Sequence, residues 1–144
     1  MDARIDPARA LRFNLGDVHV LRNAGAVVTE DVLRSLVLSQ HLLGTRSVVV
    51  MAHTDCGLHN LDEAALSQTL RSGAADPPPF AFGAFTSLDE HVHDQVARVR
   101  SCPWLLHVDD VRGCVLDVAT GEVRAVPLPT RAPRHTSSKE HGSR

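Results

Sequence analysis

From Ser47 to Ala52 the chain runs as a β-branched, apolar stretch with no polar alternation, ending at His53. Such a run reads as a strand covered on both faces, the situation of a strand inside a parallel sheet. A parallel neighbour needs a crossover connection, and the preceding residues supply one. Thr29 is placed to cap a helix, Glu30 and Asp31 suit its positive end, and Val32, Leu33, Leu36, Val37 and Leu43 recur at helical spacing up to Gly44. Before it, Asp17 to Leu21 alternates and leads into Arg22-Asn23-Ala24-Gly25, which predicts a short strand leaving through a glycine loop. Strand, helix, strand is a βαβ unit, so the expected class is α/β. In such sheets ligands gather at the carboxyl ends of strands, and His53 stands at one.

Further along, Leu58 to Arg71 reads as a helix with Leu61, Ala65, Leu66 and Leu70 on one side. Gly73 to Phe85 contains Asp76-Pro77-Pro78-Pro79 and predicts an extended loop. Ser87 and Glu90 have the spacing of a capping box, opening a helix whose Val92, Val96 and Val99 share a face until Pro103. Gly113 to Val118, the turn Ala119-Thr120-Gly121 and Glu122 to Val126 predict a hairpin at the sheet edge. Residues 1–126 therefore read as one domain. The proline-, serine- and base-containing stretch 127–144 reads as a disordered tail.

Charge excludes some partners. With 15 basic and 17 acidic residues, net charge -2, the chain has no electrostatic footprint for nucleic acid or an anionic membrane. Its apolar runs fall far short of the roughly 20 residues a membrane span needs, and no signal-peptide pattern opens it, so a cytoplasmic protein is expected. Three widely spaced cysteines, Cys56, Cys102 and Cys114, fit a reducing compartment.

The chemistry-bearing pair is His53 and Cys56, three residues apart. If Thr54 to Leu58 turns into a helix, both side chains point at one place, and its N-terminus favours a thiolate. Zinc accepts an imidazole nitrogen together with a thiolate sulfur. Cys102 and Cys114 read as core residues. His59 and His107 are candidates for proton relay, and the other histidines read as structural or solvated. No C-x-x-C occurs, and Arg22-Asn23-Ala24-Gly25 lacks the glycine spacing of a dinucleotide fingerprint or a P-loop.

Met1-Asp2-Ala3-Arg4-Ile5-Asp6-Pro7, Arg22-Asn23-Ala24-Gly25 and His53-Thr54-Asp55-Cys56-Gly57, in that order and spacing, resemble the three motif blocks of β-class carbonic anhydrases. The likeness runs from Met1 to about Val126. It implies a mostly parallel sheet flanked by helices with a C-terminal edge hairpin, a Zn2+ cofactor, reversible hydration of carbon dioxide to bicarbonate by metal-bound hydroxide, and a homodimer. The family's first block is C-x-D-x-R, whose cysteine joins the histidine and cysteine of H-x-x-C around zinc. Asp2 and Arg4 match its aspartate and arginine; the cysteine would be the residue directly before Met1.

The resemblance further implies that Arg4 holds Asp2 as a hydrogen-bond acceptor, and that Asp2 itself binds the metal when Arg4 lets go. The strand delivering the first cysteine would be central to the sheet and is expected upstream, with Met1 an internal methionine of a longer protein. Without that strand, buried unpaired backbone groups cost on the order of 1 to 3 kcal/mol each, so the 144-residue form is expected to fold poorly, bind zinc weakly and hydrate carbon dioxide poorly. Two alternatives accompany this reading: a carbonyl sulfide or carbon disulfide hydrolase with the same ligands, and a non-catalytic binding or dimerisation partner.

Overall fold

The computed structural model describes residues 1–73 and 78–128. Strand β1, Val48–His53, pairs in parallel with β2, Val111–Leu116, so that Val50 lies opposite Gly113 and His53 opposite Leu116. β3, Val123–Ala125, pairs antiparallel with β2 across the turn at Gly121, giving a three-stranded mixed sheet in the order β1-β2-β3. The expected hairpin and parallel pairing are both present. Coverage on both faces is not: Val50 and Ala52 are buried, whereas Val49 is 49% exposed.

Four α-helices accompany the sheet among the described residues: α1, Pro7–Leu11; α2, Glu30–Leu43; α3, Glu63–Arg71; and α4, Leu88–Ser101. Local chemistry sets their ends. Thr29 Oγ1 accepts from Val32 N, and Gly44 ends α2 in the left-handed region at φ 74°. Ser87 Oγ accepts from Glu90 N at the start of α4, as the capping pattern anticipates. Val92, Val96 and Val99 of α4 are fully buried and pack with Val111 and Val115 of β2, forming the core together with Val28, Val50, Ala52 and Leu105. Cys102 and Cys114 are buried there as free thiols.

Two expectations are corrected. Asp17–Leu21 is not a strand: no described strand pairs with it, and Val18, Val20 and Leu21 stay 44–48% exposed. Alternation provides a sidedness, but only a hydrogen-bonding neighbour makes a strand. The helix expected from Leu58 begins at Glu63, capped by Asp62, because residues 57–60 form turns that pair with the loop at Phe85. Part of the proline-rich loop, residues 74–77, and residues 129–144 of the expected tail lie outside the described residues. Pro127 and Leu128 belong with the domain: the Pro127 carbonyl is bonded to His93 Nε2, and Leu128 packs against the core. No helix among the described residues is long and apolar enough to cross a membrane.

Candidate metal centre

β1 delivers His53 to the sheet's carboxyl end, and the chain then turns under tight control. Thr54 N donates to Leu116 O at 2.9 Å, and Thr54 Oγ1 accepts from Val118 N at 3.0 Å, so the end of β2 fixes the residue after His53. His53 Nδ1 lies 2.8 Å from Thr54 O. A carbonyl only accepts, so Nδ1 carries the proton and Nε2 presents its lone pair in the neutral ring. The expected helix over Thr54 to Leu58 is absent. Asp55 takes φ 54° and the chain passes into turns, with His59 N donating to Cys56 O, so no helix dipole acts on Cys56. Cys56 is half-buried, with a free thiol.

The N-terminal block meets this turn from 51 residues away. Asp2 Oδ2 stands 4.0 Å from His53 Nε2, and both side chains are mostly buried. Arg4 grips Asp2 through Nε, at 3.0 and 3.2 Å, through Nη2 at 2.7 Å, and through its own backbone N–H at 2.8 Å. These side-chain bonds, followed by the backbone bond, hold the Asp2 carboxyl well below the usual carboxylate range, and Asp2 and then Asp55 raise Arg4 further above its own. The expected Asp2–Arg4 contact is therefore formed, within reach of His53.

An acid titration checks this contact. A carboxyl with a depressed folded-state pKa contributes stability in full above the ordinary value of 3.8, and loses it as pH falls through the folded value. The 13C shift of the Asp2 carboxyl is expected to titrate below 3.8 in the wild type, and nearer to 3.8 in Arg4→Ala. A wild-type midpoint at or above 3.8 would contradict the grip.

Arg22 and Asn23 of the second motif block complete the arrangement. Arg22 Nη2 donates to Asp2 O at 2.6 Å and Met1 N donates to Asn23 O at 2.7 Å, so the second motif block holds the first. The loop of that second block is anchored in turn by α4: Gly25 O lies 2.7 Å from His91 Nε2, and Val28 N donates to Gln95 Oε1. Gly25 has φ 68°, and a Cβ there would stand 2.7 Å from Leu58 Cδ2, which explains glycine at the close of the block. The available signal was membership of the quoted blocks. His91 and Gln95 carried none, because only the fold brings α4 against that loop.

His59 is exposed, stacks on Phe85 and lies 3.1 Å from Thr86 O through Nε2. His107 is half-buried, with its N–H held by Gln40 Oε1. These contacts tie His59 to the 85–86 loop and His107 to α2, away from Asp2 and His53.

Among the described residues, no group of three or more His, Cys, Asp or Glu is gathered so as to hold a metal ion. The donors near the turn nevertheless have zinc's chemistry: an imidazole nitrogen with a free lone pair, a thiol on the same turn, and a carboxylate at its edge. They supply two ligands and one neighbouring carboxylate, short of the three-ligand set of a catalytic zinc site.

Comparison with known proteins agrees with this geometry. The family model described as carbonic anhydrase matches residues 1–75. Beta-carbonic anhydrase 1 of Mycobacterium tuberculosis is 38% identical over 126 residues, 88% of this chain and 77% of that protein. The crystal structure of a carbonic anhydrase from Streptococcus mutans superposes with a TM-score of 0.82 at 41% identity, covering 88% of this chain and 77% of that one. A carbon disulfide hydrolase of Acidithiobacillus thiooxidans is 28% identical, covering 86% of this chain and 72% of its own length.

Proposed function

Since this chain belongs to the β-carbonic anhydrase family, we propose that it catalyses the reversible hydration of carbon dioxide to bicarbonate with zinc held by His53 and Cys56. The observation that carries this reading is the meeting of Asp2, Arg4 and His53 at the end of β1, from motif blocks far apart in sequence. When bound, zinc supplies a Lewis acid that makes water nucleophilic at neutral pH.

The chain's own residues do the rest. His53 is held in the tautomer that offers Nε2. Asp2 stays ionised, and its Oδ2 faces His53 as a hydrogen-bond acceptor, able to orient a water for attack on carbon dioxide. Arg4 fixes that carboxylate by charge-assisted bonds. Arg4 is half exposed, so the Asp2–Arg4 pair stands at the boundary with solvent. If Arg4 releases Asp2, the carboxylate is free to take a metal position itself, a closed and inactive arrangement.

A homodimer is part of the same reading, and exposed Leu42, Leu43, Trp104 and Leu106 supply apolar surface for it. The three cysteines are free, which suits a reducing, cytoplasmic setting. Similarity to carbon disulfide hydrolases supports a second reading, hydrolysis of carbon disulfide or carbonyl sulfide at the same residues.

One assay separates the two. With zinc in excess, stopped-flow acidification from carbon dioxide and hydrogen sulfide release from carbon disulfide are measured on the same preparation. Slow acidification, still above the uncatalysed rate, dependent on zinc and abolished in Cys56→Ser, is expected of the 144-residue form. Hydrogen sulfide release without acidification would transfer the assignment to the second reading. A catalysed rate unchanged in Cys56→Ser would remove Cys56 from the metal centre in both readings, and no rate above the uncatalysed one with either substrate would leave a non-catalytic family member.

A further inference from the structure

The guanidinium of Arg4 is shared between two carboxylates, only one of which has been given a role. Nη1 donates to Asp55 Oδ2 at 2.6 Å, and Nη2 donates to Asp55 O at 3.0 Å, while Nε and Nη2 hold Asp2. All three nitrogens are engaged. The Asp2 contacts are local, two residues apart, and move with the N-terminal segment. Those to Asp55 span 51 residues and tie that segment to the turn carrying His53 and Cys56. Arg22 and Asn23 also hold the segment, but to the neighbouring loop and not to the ligand turn.

From this geometry we infer that Asp55 is a positioning residue: by anchoring Arg4 to the His53–Cys56 turn, it keeps Asp2 withdrawn from the metal position. This rests on the metal-site reading above. Asp55 sits at φ 54°, a left-handed conformation that glycine adopts more easily, and its side chain is 77% exposed, so packing does not explain a carboxylate there. Its Oδ2 contact to Arg4 does. The need for a second anchor follows from magnitude. An exposed Arg–Asp pair standing alone contributes little to holding two side chains together. A cation on His53 Nε2, beside a carboxylate oxygen 4.0 Å away, attracts Asp2 strongly. Gripping Arg4 from two sides makes its release require several bonds to break together.

The test uses cobalt(II) alone as the probe, added to the 144-residue chain and followed by thiolate-to-cobalt absorption, which reports Cys56 directly. Asp55→Gly removes the carboxylate while accepting the backbone conformation. It is expected to bind cobalt roughly tenfold more tightly than the wild type, because Asp2 becomes free to join the ion. Asp55→Asn keeps both an acceptor for Nη1 and tolerance of positive φ, and is expected to stay within about twofold of the wild type. Adding Asp2→Asn to Asp55→Gly is expected to abolish the gain, an outcome that a purely structural role for Asp55 does not produce. Unchanged affinity in Asp55→Gly, or a gain that survives Asp2→Asn, overturns the inference while leaving the metal site standing. Absence of the thiolate–cobalt band in the wild type overturns the metal site and this inference with it.

Discussion

Lengthening the chain by a single cysteine ahead of Met1 is expected to tighten zinc binding by roughly 100-fold or more over the 144-residue form. A complete four-ligand zinc site contributes about 10 to 16 kcal/mol, or roughly 3 kcal/mol per ligand, and about 1.4 kcal/mol corresponds to a tenfold change in affinity. Placement favours the result. In an extended backbone, residues two apart share a face, so a cysteine two positions before Asp2 points to the side on which Asp2 approaches His53. His53, Cys56 and the added thiolate would then make the three-ligand set of a catalytic zinc site, with Asp2 held back by Arg4. Competition against a chromogenic chelator gives the affinities. The gain should disappear when Cys56→Ser is combined with the extension; no gain at all would mean that the first motif block is aligned wrongly.

Gly113→Ala is expected to destabilise the domain by about 2 to 3 kcal/mol, near the upper end for overpacking a core. Gly113 lies within β2, opposite Val50 of β1, directly beneath α4. A Cβ there would stand 2.4 Å from Val92 Cγ1 and 3.4 Å from Val96 Cγ2, and both valines are fully buried with no room to retreat. Relief requires α4 to rise from the sheet, which also loosens Gln95 and His91, the residues anchoring the loop of the second motif block. Denaturant midpoints measure the loss. Combining the change with Val92→Ala should recover part of it, since the colliding methyl is then gone; a double mutant less stable than Gly113→Ala alone would contradict the packing argument.

Legibility varied with the range of the interaction. The cap at Thr29, the stop at Gly44 and the cap at Ser87 were readable because each is a contact within one helical turn. The run into His53 was readable as a parallel strand from its β-branched composition, although the coverage of both faces that this composition implied is not found, Val49 being 49% exposed. The stretch Asp17–Leu21 was misread, since alternation sets which side chains share a face but not whether a neighbouring strand is present. The helix expected over Thr54 to Leu58 failed for a related reason. Asp55 is drawn into the left-handed region in a turn where Arg4, more than fifty residues earlier, bonds both its side chain and its carbonyl.

The amino-acid sequence by itself determined the family's motif blocks, the α/β class and the residue types at Asp2, Arg4, His53 and Cys56, because these follow from residue chemistry and spacing along the chain. Only the tertiary structure decided that Asp2 faces His53, that Asp55 shares Arg4 with Asp2, that Arg22 and Asn23 hold the N-terminal block, and that α4 anchors the Gly25 loop. The physical reason is common to all four. Each brings together segments 20 or more residues apart, by a hydrogen bond, an ion pair or, for Asp2 and His53, a 4.0 Å approach, and its partners meet only after the sheet and α4 have packed, through burial that depends on the whole fold and not on any local run of sequence.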